Sequence, residues 1–197
     1  MYNYRQMTRE QREAILRIRT ERGFPLHAPP HLCQEPGQYF LTASCFEHQR
    51  FFDEPELLDW LASEILAGIA QAEIVARAWV FLPNHYHLLI QYDDPKAVSD
   101  ILRKAHSSLA TTLNAQQHVR KRKVWYEFSE RHIRNERHHH ASLNYIHFNP
   151  IKHGYVDSYL DWPWSSVHQY IAAYGLAWIE QIWLEHPIRN FGSGWDW

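Results

Sequence analysis

The longest strand-like run of apolar and β-branched residues in this 197-residue chain extends from Ile74 to Tyr92. Its only turn signal is Pro83-Asn84, so the run predicts two antiparallel strands joined at Leu82–Asn84. Side chains alternate between the two faces of a strand, which places His85 and His87 on one face, roughly 6.5 to 7 Å apart at the backbone. The pattern therefore predicts a β-hairpin that presents two imidazoles on the same side of a sheet.

The pattern of the rest of the chain alternates between strands and amphipathic helices. Further strands are predicted at Gln38–Phe46 and Val124–Ile133, and helices at Glu56–Ala72, Pro95–Gln117 and Glu136–Asn149, the last of them ended or kinked by Pro150. The order strand, helix, strand, strand, helix, strand is that of a ferredoxin-like βαββαβ fold of the α+β class. We therefore expect an antiparallel sheet with two helices on one face and a third helix after the last strand.

The two ends of the chain differ in composition from its middle. Residues 1–36 form an arm with a basic helix predicted at Thr8–Arg22, followed by several prolines. Residues 37–155 contain the predicted βαββαβ unit. Residues 156–197 are aromatic and acidic, with a short helix near Val167–Tyr174, and we interpret them as an extension that packs on the same domain.

Composition limits the classes of protein to consider. The chain is 45% apolar and 15% aromatic, which is typical of a globular domain. Cys33 and Cys45 form no CxxC pair, so neither a zinc ribbon nor a disulfide framework is predicted, and we expect a reducing cytoplasm. No apolar run approaches the length of a membrane-spanning helix, and the first residues are polar and charged, so we expect neither a secretory signal nor a membrane span.

The formal net charge of -2 conceals an uneven distribution. Between Lys96 and Arg137 there are ten Lys and Arg against four Asp and Glu, a balance of +6, whereas from Val156 onward one Arg stands against five acids, a balance of -4. A basic middle permits a polyanion site on one face, although both regions could equally be solvated surfaces. The run Arg120-Lys121-Arg122-Lys123 is either a phosphate clamp or a solvated loop.

Two histidines do not complete a metal site, and the predicted last helix offers a third ligand. Tyr145 and Asn149 lie four residues apart, about 40° around the helix axis, and so share a face. If that face lies against His85 and His87, the Asn149 carbonyl oxygen becomes the third ligand and the Tyr145 hydroxyl stands beside the ion. Two imidazoles and an oxygen suit Mg²⁺ or Mn²⁺, and the phenol would then be a nucleophile toward a phosphodiester.

Simpler readings of these residues remain open at this level. Asn149-Pro150 is also the pattern of an N-cap followed by a first-turn proline, and Tyr145 is also an ordinary core tyrosine. Consecutive helical residues diverge by about 100°, so His138-His139-His140 is not expected to chelate one ion and is better suited to phosphate or base contacts. The C-terminal tryptophans either pack in the core or stack on bases; they are Trp162, Trp164, Trp195 and Trp197.

Several segments resemble one family of proteins. Leu82-Pro83-Asn84-His85-Tyr86-His87-Leu88-Leu89-Ile90 is similar to the HUH motif of single-tyrosine HUH transposases. Tyr145-Ile146-His147-Phe148-Asn149-Pro150-Ile151-Lys152-His153-Gly154-Tyr155-Val156 resembles the tyrosine-helix signature of one branch, the REP-associated tyrosine transposases. Three shorter segments also resemble that branch, and they are Arg131–Glu136, Asp161–Ser166 and Gly192–Asp196. The set occurs in this order from Gln38 to Trp197.

The resemblance implies a ferredoxin-like nuclease that acts on single-stranded DNA. By position it implies that His85, His87 and Asn149 bind Mg²⁺ or Mn²⁺ and that Tyr145 is the nucleophile. It implies attack that leaves a 5′-phosphotyrosine and a free 3′-OH, on palindromic REP-like hairpins. It favours a monomer that works in cis over a homodimer, in a bacterial cytoplasm and associated with the nucleoid. We expect DNA contacts from seven basic side chains of the chain, which are Arg120, Lys121, Arg122, Lys123, Arg131, Arg134 and Lys152.

Two other functions remain possible from the sequence. A metal phosphodiesterase that activates water would leave Tyr145 a structural residue and form no covalent adduct. A non-catalytic ferredoxin-like module that binds nucleic acid through exposed aromatic residues would not need the histidines. The fold alone does not separate these functions, because it hosts many of them.

Overall fold

A computed structural model of the chain describes residues 36–72, 74–188 and 191, together with a few positions between 8 and 20. The positions described within the predicted helix Thr8–Arg22 are helical from residue 9 to residue 20, and the rest of that helix lies outside the described residues. The segment Gly192–Asp196 and the tryptophans at 195 and 197 also lie outside them.

The described residues form a four-stranded antiparallel sheet with helices on both faces. The strands are β1 Gly37–Ser44, β2 Val75–Leu82, β3 His85–Tyr92 and β4 Ser129–His132. The helices are α1 Pro55–Gln71, α2 Pro95–Gln116, α3 Glu136–Lys152, α4 Val167–Tyr174 and α5 Leu176–Glu185. The strand order β2-β3-β1-β4 places β1 and β3 in the centre, as in the predicted ferredoxin-like α+β fold.

The two faces of the sheet carry different layers because side chains alternate along β1 and β3. Tyr86, Leu88 and Ile90 face helices α1 and α2, which follow β1 and β3 in the chain and pack on each other. The opposite face carries Phe40 and His87 and is covered by α3. The site residues predicted from the sequence therefore lie in the layer between the sheet and α3.

The predicted strand Val124–Ile133 is shorter in the structure, where only Ser129–His132 is regular strand. Trp125 makes a single bridge with Cys45, and its ring is buried against the ring of Phe52 at 5.2 Å. We attribute the irregular segment before β4 to this burial, because the side chain packs beneath the sheet instead of continuing the ladder.

The prediction that the last helix ends at Asn149 is wrong, since α3 continues through Pro150 to Lys152. Pro150 lacks the N–H that would bond the carbonyl one turn earlier, but the final turn is completed by other bonds. Tyr155 N–H donates to the Pro150 carbonyl, and Gly154 N–H donates to the Ile151 carbonyl. With Gly154 at φ 69°, these two bonds form a Schellman motif, which is where the helix ends.

The aromatic segment after α3 lies along the free edge of β2. Phe81 N–H donates to the Trp164 carbonyl at 2.9 Å, and Ser166 N–H donates to the Trp79 carbonyl at 2.9 Å. The indole N–H of Trp162 donates to the Phe81 carbonyl at 2.9 Å. These bonds occupy backbone groups of an edge strand that would otherwise be open to other chains.

Candidate active site

Strand β3 carries two buried histidines on the face that α3 covers. His85 and His87 are 3% and 0% exposed, and the centroids of their rings are 5.0 Å apart. Tyr86 points to the opposite face, where its hydroxyl is hydrogen-bonded to His106 of α2. Burial is the main cause that lowers the pKa of His85 to about 3 and the pKa of His87 well below its ordinary value. Both rings are therefore neutral at neutral pH, the form that binds metals.

Asn84 determines which nitrogen of His85 carries the proton. Its Nδ2 donates to the His48 carbonyl at 3.3 Å, so its Oδ1 faces Nδ1 of His85 at 2.7 Å. Because an amide oxygen only accepts, Nδ1 of His85 carries the proton and Nε2 carries a lone pair. A hydrogen-bond partner at the second ring nitrogen is typical of metal-binding histidines.

The lone pair of His85 is directed at the side chain of Asn149. Nε2 of His85 lies 3.1 Å from Oδ1 of Asn149, and both residues are buried. Two acceptors face each other here, so a favourable contact needs either a cation between them or the opposite orientation of the amide. The Asn149 Nδ2 atom has no hydrogen-bond partner among the residues that the structure describes. Two imidazole nitrogens and one amide oxygen form a ligand set that fits the predicted Mg²⁺ or Mn²⁺.

Thr42 orients the second histidine. It is paired with His87 across the β1–β3 ladder, and its hydroxyl lies 2.8 Å from Nδ1 of His87. Nε2 of His87 is therefore the ring nitrogen that can bind a metal. Within the described ranges no three His, Cys, Asp or Glu side chains are arranged to hold an ion. A metal at this position depends on the amide oxygen of Asn149.

Helix α3 places Tyr145 beside the same histidines. Its ring centroid is 5.3 Å from that of His87 and 5.7 Å from that of Phe40, both edge-on. The side chain is 1% exposed, and its hydroxyl accepts a hydrogen bond from Lys152 Nζ at 2.8 Å. The structure thus brings Tyr145 and Asn149 to the two histidines, and Asn149 is neither an N-cap nor the start of a new helix.

The other face of α3 is anchored to the edge of the sheet through His147. Its Nε2 lies 3.0 Å from the hydroxyl of Ser166, which also accepts the Trp79 N–H at 2.9 Å. Because the backbone N–H only donates, the Ser166 hydroxyl donates to His147. Burial is the main cause that lowers the pKa of His147 to about 3, so the ring is neutral and accepts. These contacts fix the rotation of α3 that points Tyr145 at the sheet.

Sequence reasoning missed several residues of this site. The tautomer of His85 depends on Asn84, and the orientation of the His87 ring depends on Thr42. The position of α3 on the sheet depends on Ser166. His153 was missed as well, and its ring centroid lies 4.9 Å from that of His85. Burial is the main cause that lowers the pKa of His153 to about 4. Asn84 and Ser166 stand in the motif segments quoted above, which is the signal that could have identified them.

The predicted phosphate clamp lies in the loop before β4. Arg120 and Lys121 are exposed there. The Lys123 ammonium lies 5.2 Å from the ring centroid of Phe46 and 5.3 Å from that of Tyr126. Three of the four basic side chains of the predicted clamp therefore remain accessible to a phosphate backbone.

Arg122 differs from its neighbours because its side chain has partners inside the protein. Its Nε donates to the Asn114 amide oxygen at 2.8 Å, and its guanidinium lies 4.6 Å from the ring centroid of Phe51. These contacts tie the loop to α2 and to the segment after β1. We infer that Arg122 contributes to the conformation of the loop.

The other predicted DNA contacts lie near or within the site. Arg131 is paired with Phe40 on neighbouring strands, so its exposed side chain projects from the same sheet face as the histidines. Arg134 is exposed just before α3, and its backbone N–H donates to Nδ1 of His138. Lys152 contacts Tyr145, so the structure places it at the candidate nucleophile.

The three consecutive histidines at the start of α3 have three different neighbours. Nδ1 of His138 accepts the Arg134 N–H, and Nδ1 of His139 lies 2.8 Å from the Gln38 amide oxygen. The ring of His140 stacks on His186 at 4.6 Å. Their different environments agree with the divergence expected of consecutive helical residues.

Trp162 and Trp164 have internal partners, which favours their packing role. Trp162 is 7% exposed, and its indole N–H donates to a backbone carbonyl of β2. The indole N–H of Trp164 donates to the Asp59 carboxylate of α1 at 2.7 Å. Both residues hold the segment that contains Ser166 against the sheet.

The sheet order, the two histidines on a central strand and the tyrosine on a covering helix have the arrangement expected of the single-tyrosine HUH class. No protein-family model matches the chain. A putative REP-associated tyrosine transposase of Haemophilus influenzae is 34% identical over 102 residues, which are 47% of this chain and 58% of the relative. A REP-associated tyrosine transposase of Escherichia coli K12 is 31% identical over 96 residues, which are 48% of this chain and 55% of the relative.

The chain therefore spans little more than half the length of these curated relatives. A solved structure of a REP-associated tyrosine transposase bound to a REP hairpin matches more of it, with a TM-score of 0.57 and 25% identity. That match covers 72% of this chain and 82% of the other. The comparisons confirm the resemblance to REP-associated tyrosine transposases and the α+β fold. Separately, no helix within the described part of the chain has the length and apolar character needed to span a membrane.

Proposed function

We propose that this chain is a metal-dependent single-stranded DNA endonuclease and strand-transferase of the tyrosine-transposase type that acts on REP-like hairpins. The observation that carries the proposal is a juxtaposition: Tyr145 and Asn149, on one face of α3, lie against the two histidines of β3. The similarity to REP-associated tyrosine transposases, one of them bound to a REP hairpin, supports the same function.

The proposed metal ligands are Nε2 of His85, Nε2 of His87 and Oδ1 of Asn149, with Mg²⁺ or Mn²⁺ as the ion. When bound, the ion would supply positive charge that polarises the scissile phosphodiester. The acceptor–acceptor contact between His85 and Asn149 supports a cation at this position, because neither atom provides a proton to the other. Thr42 and Asn84 would keep the two rings in their ligating orientation.

Tyr145 is the proposed nucleophile. Its hydroxyl oxygen bonds to the phosphorus in line with the leaving 3′ oxygen, and the P–O3′ bond breaks. The phenolic proton passes to solvent, and the leaving 3′ oxygen takes up a proton from solvent. The products are a 5′-phosphotyrosine and a free 3′-OH, and attack by another 3′-OH reverses the step and joins two strands. The centroid of the Phe191 ring lies 5.5 Å from that of Tyr145, and the tyrosine is 1% exposed. We infer that neighbouring side chains must move before a DNA strand reaches the hydroxyl.

Basic side chains near this site would bind the hairpin backbone. Arg131 projects from the same sheet face as the histidines, and Arg134 lies at the start of α3. Arg120 and Lys121 add exposed charge in the loop before β4. Contacts of this kind position the nucleic acid and make its binding salt-dependent, without selecting its sequence.

We also propose that the protein works as a monomer in cis. The two histidines, Asn149 and Tyr145 come together within one chain, so the site needs no side chain from a second copy. Gel filtration combined with light scattering, on the protein alone and with hairpin DNA, tests this part of the proposal. Cleavage that requires a dimer would contradict it.

The experiment that separates the candidate functions is incubation of the protein with an end-labelled single-stranded hairpin, taken from DNA flanking its gene, in Mn²⁺ or Mg²⁺. The proposed function predicts a labelled protein–DNA adduct that survives SDS and is abolished by EDTA. A water-activating phosphodiesterase would produce cleaved DNA without an adduct. A binding module would retard the hairpin without cleaving it, and EDTA would have no effect.

A further inference from the structure

Lys152 lies closer to the candidate nucleophile than a residue that only binds DNA needs to. Its Nζ is 2.8 Å from the Tyr145 hydroxyl oxygen and 4.6 Å from the centroid of the tyrosine ring. An ammonium has only donors, so the hydroxyl oxygen accepts this bond. A full positive charge is therefore hydrogen-bonded to the atom that would attack phosphorus.

The helix itself produces this contact. Residues seven apart on an α-helix lie about 20° apart around the axis and two turns along it, so Lys152 and Tyr145 share a stripe with Asn149. Lys152 is the last residue of α3, and the bonds around Gly154 hold the helix end in one conformation. The ammonium, the phenol and the proposed third metal ligand thus come from one rigid element, the arrangement that a precise site requires.

A cation at this position acts on the charge that develops during reaction. As the Tyr145 oxygen attacks, it loses its proton and carries negative charge, and it carries negative charge again when it leaves the 5′-phosphotyrosine. A fixed donor aimed at such an oxygen stabilises the transition state. Lys152 is itself exposed. Tyr145 is 1% exposed, so the contact with Lys152 is poorly screened on the tyrosine side.

We propose that Lys152 is a catalytic residue that stabilises negative charge on the Tyr145 oxygen, in both cleavage and strand transfer. This inference rests on the proposed function. In cleavage the Tyr–O–P bond forms and the P–O3′ bond breaks. The phenolic proton passes to solvent and the leaving 3′ oxygen takes up a proton from solvent, while Lys152 keeps its own protons. In strand transfer the oxygen of a 3′-OH bonds to phosphorus, the Tyr–O–P bond breaks and the 3′-OH proton passes to solvent. The departing phenolate is formed beside the same ammonium and is then protonated from solvent.

The test compares Lys152→Ala and Lys152→Arg with wild type and with Lys104→Ala as a matched control. Lys104 is an exposed lysine of α2, on the opposite side of the sheet. Single-turnover rates of adduct formation are measured at saturating hairpin with Mn²⁺, and hairpin affinity is measured separately. For Lys152→Ala we expect a rate loss of about 100- to 1000-fold, as for removal of one oxyanion donor, with affinity within about threefold of wild type. Lys152→Arg should recover about tenfold or more of that loss, because arginine remains charged.

Two further measurements test whether Lys152 acts on the tyrosine oxygen and not on the leaving 3′ oxygen. Release of the adduct by an added 3′-OH strand should slow by a similar factor in Lys152→Ala, because the same oxygen is then the leaving group. A substrate with sulfur in place of the leaving 3′ oxygen should not restore the Lys152→Ala rate, because its easier departure does not replace charge stabilisation at the tyrosine. Thermal melting shows whether each variant is folded. If Lys152→Ala does not fold, the rate of Lys152→Arg relative to wild type still tests the role of Lys152.

The outcomes distinguish this inference from the proposed function. A wild-type protein that forms no adduct refutes the proposed function, and this inference with it. If wild type forms the adduct and Lys152→Ala forms it at the same saturated rate, only the role of Lys152 is refuted. A loss confined to hairpin affinity would make Lys152 a DNA contact, and complete rescue by the sulfur substrate would place its action on the leaving group; either result overturns the proposal.

Discussion

Nε2 of His85 and Oδ1 of Asn149 lie 3.1 Å apart although the two residues are separated by 64 positions in the chain. The contact joins the central strand of the sheet to the helix that carries Tyr145. Because Asn84 keeps the ring proton of His85 on the far nitrogen, the near nitrogen presents a lone pair to the amide oxygen. This relationship makes the site a candidate for a divalent cation and leads to the first prediction.

Asn149→Ala should weaken Mn²⁺ binding by at least about tenfold, because it removes one of three proposed ligands, whereas Asn149→Asp should retain an oxygen ligand. The measurement is Mn²⁺ binding followed by electron paramagnetic resonance, which does not depend on cleavage. If Asn149→Ala binds Mn²⁺ as tightly as wild type, the amide oxygen is not a ligand. That result would favour the opposite amide orientation, in which Nδ2 donates to His85.

Thr42→Val should weaken metal affinity by about 10- to 100-fold while changing side-chain volume little. The variant removes the hydroxyl that lies 2.8 Å from Nδ1 of His87, so the ring loses the contact that orients it. Mn²⁺ titration measures the effect, and urea unfolding shows the accompanying change in stability. An unchanged metal affinity in a folded Thr42→Val protein would show that His87 needs no such support or is not a ligand.

Ser166→Ala should lower the free energy of unfolding by about 1 to 3 kcal/mol, because buried His147 and the Trp79 N–H both lose their partner. Urea denaturation measures the change. Ser63→Ala is the matched control, since its hydroxyl donates to a backbone carbonyl at an exposed site, and we expect a change within about 0.5 kcal/mol. Equal effects of the two substitutions would mean that the Ser166 contact does not anchor α3.

Arg131→Ala should weaken hairpin binding. It should also reduce the magnitude of the slope of log K against log salt concentration by about 0.7 to 0.9, the value for one phosphate contact. Arg122→Ala should leave that slope unchanged and lower stability, because its guanidinium is bound to Asn114 and packs on Phe51. Hairpin binding measured at several salt concentrations compares the two variants. A reduced slope for Arg122→Ala alone would reverse these assignments.

The sequence predicted most of the sheet and the two halves of the site because both are encoded locally. Alternation along Ile74–Tyr92, with Pro83-Asn84 at its turn, defines the β2–β3 hairpin, and the structure agrees with it within one residue. Helical periodicity placed Tyr145 and Asn149 on one face. Once α3 lies on the histidine face of the sheet, this spacing is sufficient to bring the four side chains together.

The errors and omissions arose where tertiary contacts decide the outcome. Pro150 normally disfavours a helix, but α3 continues because the bonds around Gly154 complete its last turn. The strand before α3 is short because Trp125 is buried under the sheet. The seven-residue spacing of Tyr145 and Lys152 can be read from the sequence. The hydrogen bond from the Lys152 ammonium to the buried Tyr145 hydroxyl is visible only in the structure.

The most direct test of the central claim is formation of a covalent adduct by Tyr145. The test compares wild-type protein with Tyr145→Phe, and with Tyr174→Phe as a control at an exposed tyrosine. Each protein is incubated with the labelled hairpin and Mn²⁺ and separated on a denaturing gel. We predict a labelled adduct for wild type and Tyr174→Phe, and none for Tyr145→Phe, which should still bind the hairpin. An adduct of normal yield from Tyr145→Phe would show that Tyr145 is not the nucleophile.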